Sequence, residues 1–179
     1  MAAGAKENGT MKRLLLGAIL AAMAAATAVE IDVDGKFRDF NRMWRTSSKR
    51  IGTAELIPDK GENFVHLSSA DGPRGQIGIY TARGIPAVRG DRISVAVDAS
   101  GGPFEIALFE YGAKKHVGAV RKTFPKTRDR ITRRVEFTVT NENTDTVRVS
   151  FSVKRGAAAV ISDVRVDMQS ARKDGNEKK

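Results

Sequence analysis

From Val29 onward, apolar and polar residues alternate in one short run after another. A strand sends successive side chains to opposite faces, so each run predicts a half-buried strand. Ile93, Val95 and Val97 alternate with Ser94, Ala96 and Asp98, and Phe104, Ile106 and Leu108 with Glu105 and Ala107. The same period holds for Val135–Val139, Val147–Val153 and Val164–Met168, and shorter strands are expected at Thr53–Ile57, Asn63–Ser68 and Gln76–Tyr80. Between the runs lie turn formers such as Pro58-Asp59-Lys60-Gly61, Arg89-Gly90-Asp91 and Ser100-Gly101-Gly102-Pro103. No segment after residue 28 carries a helical stripe; Arg38–Arg45 has room for one turn. Many short, punctuated strands with one apolar side each predict an all-β fold, two antiparallel sheets packed as a sandwich. The domain is expected over 29–168, followed by a polar, disordered tail over 169–179.

Residues 1–28 read as an N-terminal extension and a signal peptide. Met11-Lys12-Arg13 is basic, Leu14 to Ala25 is apolar, and Ala26-Thr27-Ala28 offers a cleavage site. The apolar run is shorter than the roughly 20 residues that span a bilayer, so no membrane span is expected after cleavage. Translation from Met1 and from Met11 both remain open. The expected location is periplasmic or secreted, by bacterial export. The 179-residue chain carries a formal net charge of +10 and no cysteine. The basic excess favours acidic partners, and export removes nucleic acid from the candidates. Without cysteine there are no disulfides and no thiolate metal sites.

The order of motifs resembles the carbohydrate-binding modules of the cellulase-associated type (families 4 and 9), which are galactose-binding-like jelly rolls. Asp34-Gly35-Lys36-Phe37-Arg38 with Trp44 beyond matches their Asn-Gly-x-Phe-Glu opening. Gln76-Ile77-Gly78-Ile79-Tyr80, the turn and strand Val88–Val97, and the closing Ile161-Ser162-Asp163-Val164 follow in the same order. The resemblance spans Val29 to Met168 and implies a jelly roll that binds polysaccharide without catalysis. It also implies a structural calcium held by one acid near each end, here Asp34 and Asp163. No other cofactor is expected. Three features depart from the pattern: Arg38 stands where an acid is usual, Ser162 replaces one closing acid, and the strand Ile93–Val97 has no aromatic residue.

A pyranose ring stacks its C–H face on an aromatic ring, and its hydroxyls need polar partners. Phe104, Phe137 and Phe151 lie on the apolar phase of their strands and read as core, as do Phe37 and Phe64. That leaves Trp44, Tyr80, Tyr111 and Phe109 as ring candidates. Trp44 reads either as a sugar contact or as a plug for the core. The segment Lys114–Arg134 holds nine basic residues against Asp129 alone, and part of it is expected to be a loop. Arg121 and Lys122 in this segment would grip an acidic glycan. Arg89-Gly90-Asp91 reads as a turn, and His66 and His116 make no metal site. No nucleophile, phosphate-loop or metal-hydrolase spacing is present, so no enzyme is expected. Two alternatives stay open: an envelope protein-interaction domain without sugar affinity, and a small polysaccharide lyase or hydrolase.

Overall fold

The computed structural model describes residues 28–47, 51–70 and 75–171. The expected signal segment up to Thr27 and the tail beyond Ala171 lie outside the described residues. Twelve strands and one helical turn, α1 (Phe40–Met43), make up the described fold. Sheet A runs β10 (Thr127–Thr138), β7 (Arg92–Gly101), β12 (Ala158–Gln169), β4 (Glu62–Ser69), β3 (Gly52–Asp59), with β1 (Val29–Glu30) on β12. Sheet B runs β2 (Trp44–Thr46), β5 (Gln76–Thr81), β11 (Thr146–Lys154), β8 (Phe104–Gly112), β9 (Lys115–Phe124), with β6 (Ile85–Pro86) on β11. Every pairing is antiparallel. The architecture is the antiparallel sandwich that the alternating runs predict, in the jelly-roll form that the resemblance implies.

The core forms where the apolar phases of the two sheets meet. Ile93, Val95, Val97, Ile161 and Val166 from sheet A are fully buried, as are Ile79, Ile106, Leu108, Val149 and Phe151 from sheet B. Each buried Val, Ile or Phe contributes about 1.5–3 kcal/mol by leaving water. β12 changes phase midway: Ala159 and Ile161 face inward, then Val164 and Val166 do. The register shift between Ser162 and Arg165 inserts the extra residue, and Asp163 takes a positive φ of 47° there. Gly35 fits against this bulge. Its carbonyl accepts from the Val164 N–H at 3.0 Å, and a Cβ on Gly35 would lie 1.6 Å from the Val164 carbonyl oxygen.

Three expectations change. Lys114–Arg134 holds no long loop: it forms β9 and β10, the edge strands of opposite sheets, joined through Pro125 and Lys126. Basic side chains on exposed edges discourage pairing with other chains, which accounts for much of the local charge. Phe64 is half-buried on the outer face of sheet A, beneath Arg130 at 5.2 Å, because Val65 and Leu67 take the inward phase of β4. The ordered chain also passes Met168. β12 ends at Gln169, and the Ala171 N–H donates to Asp91 Oδ1 at 2.7 Å. Asp91 is buried and also accepts from the Val88 N–H, so Arg89-Gly90-Asp91 is a structural turn.

Glu110 closes one end of the sandwich. Its carboxylate is fully buried. It accepts from the Thr140 N–H (3.2 Å) and hydroxyl (3.1 Å), the Asn141 N–H (2.9 Å) and the Thr144 hydroxyl (2.8 Å). Burial pushes the carboxyl up, but the hydrogen bonds from Asn141, Thr140 and Thr144 together outweigh it and hold the group below its ordinary value. This one side chain ties the β10–β11 connection to β8. Among the described residues no helix is long and apolar enough to cross a membrane.

Candidate functional site: the groove of sheet B

On β5, Ile77 and Ile79 point into the core, so Gln76, Gly78 and Tyr80 present their positions to the outer face. On β11, Val147, Val149, Phe151 and Val153 point inward and Arg148, Ser150 and Ser152 outward. On β8, Phe109 and Tyr111 complete the same outer face. The three strands lie side by side, with Ser150 in register with both Tyr80 and Ala107. Small residues in the middle and large ones at the end leave a groove of about 530 Å³.

The groove floor is Gly78, Ser150 and Ser152. A Cβ on Gly78 would stand 2.5 Å from the Phe151 carbonyl oxygen and 2.7 Å from Ser152 Cβ, so the close strand approach requires glycine. Ser47 Oγ accepts from the Gly78 N–H at 2.9 Å, and Gln76 Nε2 donates to Ser152 Oγ at 3.1 Å. The Arg148 guanidinium carbon lies 5.6 Å from the Tyr80 ring centre and 5.3 Å from that of Tyr111. The two tyrosines therefore flank one cation, and both rings are half-buried.

Tyr80 and Tyr111 both line this groove. Trp44 does not. Its ring is 1 % exposed, packs against Phe37 and Phe151 at 5.5 and 5.9 Å, and donates its Nε1–H to the Asp34 carbonyl at 3.3 Å. It is the core plug, with no face to offer a ligand.

Arg121 and Lys122 are neighbours on a strand, so they part to opposite sides. Arg121 stands on the groove's side of the sheet, 5.2 Å from the Phe109 ring and 4.0 Å from Glu105. Lys122 is in register with the buried Ile106 and so belongs to the other side of edge strand β9, reaching solvent past the rim. Glu105, missed in the sequence, is a buried carboxylate on the groove's side, matched by Arg121 and by Lys154 at 3.8 Å. Arg148, Ser150 and Ser152 were also missed. Their signal was present, since they are the polar phase of a strand whose inward phase is unambiguous.

Asp34 and Asp163 do not fit a calcium ion. Asp34 spends its carboxylate oxygens on the N–H groups of Arg38 (2.9 Å) and Asp39 (2.7 Å). Asp163 pairs with the Lys36 ammonium at 2.8 Å and with Arg165 at 3.0 Å. Lys36 and then Arg165 hold its carboxyl below the usual carboxylate range, against the effect of burial. Calcium takes several oxygen ligands, usually with some carboxylate charge, and among the described residues no cluster of three acidic or histidine side chains forms. Two cationic side chains already stand where the ion would neutralise the site.

No protein-family model matches the chain, and no curated protein matches it in sequence. Solved structures share its fold. A point mutant of a family 29 carbohydrate-binding module, made to probe ligand recognition, is 14% identical with a TM-score of 0.56, over 84% of this chain and 98% of that one. A cyclase from Fischerella sp. TAU, in complex with 4-(1H-indol-3-yl)butan-2-one, is 14% identical with a TM-score of 0.57, over 83% and 100%. The enzymatically active domain of bacteriophage CBA120 tailspike protein 4 is 11% identical with a TM-score of 0.57, over 76% of this chain. The chain spans about a fifth of the length of that tailspike domain. These likenesses show a shared fold, the antiparallel jelly-roll sandwich. Binding modules and enzymes both use it, so the site must decide the function.

Proposed function

We propose that this is an exported module that binds polysaccharide in the groove of sheet B without cleaving it. The observation that carries the proposal is that Tyr80 and Tyr111 line one groove with a floor of small residues. A sugar ring stacks on such faces, while Gln76, Ser150 and Ser152 offer hydrogen bonds to its hydroxyls. That a family 29 carbohydrate-binding module shares the sandwich lends support to this reading. Both rings are partly exposed in a shared groove, so each has a face open to a ligand. Hydrolysis would need two carboxyl groups flanking the scissile bond. The groove's described lining includes no carboxylate, and nearby Glu105 is engaged by two cations.

The test is affinity electrophoresis of the protein through gels containing neutral or acidic polysaccharides. Tyr80→Ala and Tyr111→Ala should each weaken retention about tenfold, the scale of losing a stacked ring of 1–1.5 kcal/mol. Binding unchanged in both variants would remove the groove from consideration. Release of shortened sugars on long incubation would reinstate an enzyme.

A further inference from the structure

The groove's described lining contains a single charged side chain, Arg148. Three arginines on strands pair with acids: Arg121 with Glu105, Arg130 with Glu62, and Arg165 with Asp163. Among the described residues Arg148 makes no ion pair; its guanidinium lies over the rings of Tyr80 and Tyr111. It is half-buried on β11, which pairs with β5 on one side and β8 on the other, so its base is fixed. A partly desolvated cation without a counter-charge is costly, and an arginine offers five N–H donors suited to an oxyanion. Contact with the two rings holds the guanidinium in the groove without using an acceptor. Glu105, on the same side of the sheet, is already matched by Arg121 and Lys154.

We infer that Arg148 makes the groove selective for acidic sugars, binding their carboxylate or sulfate between Tyr80 and Tyr111. The inference rests on the polysaccharide-binding reading above and names the substrate class of that site. It moves the acidic preference from the Lys114–Arg134 segment, which is divided between two sheets, to one residue of a central strand.

The experiment titrates the full chain with matched probes: polygalacturonate against its methyl ester, and dextran sulfate against dextran. At least one charged probe should bind about tenfold or more tightly than its neutral counterpart, as expected for a charge-assisted hydrogen bond. The first pair reports a carboxylate and the second a sulfate. Arg148→Gln should remove this preference, and Arg148→Lys, which keeps the charge but not the fork, should retain part of it. Arg134→Gln, an exposed cation on the other sheet, should leave it intact. Equal loss in Arg134→Gln and Arg148→Gln would overturn the inference in favour of diffuse attraction. Equal affinity for neutral and charged probes, lost with Tyr80→Ala, would overturn the inference and leave the groove reading standing. No binding to any probe, or binding indifferent to Tyr80→Ala and Tyr111→Ala, would overturn both.

Discussion

Replacing Glu110 with glutamine tests how the fold secures the end of the sandwich. The carboxylate receives four hydrogen bonds, two on each oxygen. In the variant, the amide oxygen can keep the Asn141 N–H and the Thr144 hydroxyl, the two shorter bonds. Its NH₂ then faces the Thr140 N–H and hydroxyl. The hydroxyl can rotate to accept, but the backbone N–H cannot and loses its partner. An unsatisfied donor costs about 1–3 kcal/mol, and the retained bonds weaken as their acceptor loses its charge. Relief of carboxylate desolvation offsets part of this. The expected net loss is about 2–4 kcal/mol. At roughly 2–4 °C per kcal/mol for a domain of this size, the melting temperature should fall by roughly 4–16 °C at neutral pH.

The acid dependence provides an independent check. The folded-state pKa of Glu110 lies below its ordinary value. Its contribution is therefore complete above the unfolded-state value of about 4.3 and is lost as pH falls through the folded-state value. The wild-type protein should lose this stabilisation on acidification, and Glu110→Gln has none of it to lose. The difference between their melting temperatures, followed by circular dichroism, should narrow from pH 7 to about pH 3. Melting within about 1 °C of wild type at neutral pH would refute the hydrogen-bond assignment. A gap that stayed constant into acid would refute the charged state of Glu110.

Trp44→Ala should destabilise by about 3–5 kcal/mol in a denaturant titration, whereas Tyr80→Ala should stay within about 1 kcal/mol of wild type, because only the first removes a core ring. A fully folded, stable Trp44→Ala that had lost only glycan binding would contradict the plug assignment. Excess calcium or a chelator should leave the melting temperature unchanged, since a bound ion at 100 times its dissociation constant would add about 2.7 kcal/mol; a clear rise with calcium would show that Lys36 yields its place beside Asp163.

Strand identity was legible because period-2 alternation survives burial of only one face, and runs such as Ile93–Val97 and Val147–Val153 have an unmistakable inward phase. The bulge in β12 was written there too. Apolar residues fall at odd positions through Ile161 and at even positions from Val164, a change that one extra residue must absorb. Tyr111 and Phe109 were set apart from the core by the same means, since they oppose the phase of Ile106 and Leu108. Trp44 was ambiguous because its strand has three residues, too few for a period to show. Arg148 was overlooked because a polar-phase arginine on a strand looks like any solvated cation until two tyrosines from neighbouring strands close around it.

The basic excess of the chain illustrates why composition alone misplaces a site. Lys114–Arg134 holds the densest run of cations, and sequence proximity makes it read as one patch. Folding sends β9 and β10 to the edges of different sheets, and alternation sends Arg121 and Lys122 to different sides of one strand. Charge density along the chain is thereby diluted in space, and edge protection accounts for it without a ligand. Arg148 follows the opposite course. It is isolated among Val147, Val149 and Ser150 in the sequence, yet the sheet sets it between two aromatic rings on a floor of small side chains. A cation that folding encloses with ring faces and no acid is better placed to select a ligand than nine that folding disperses.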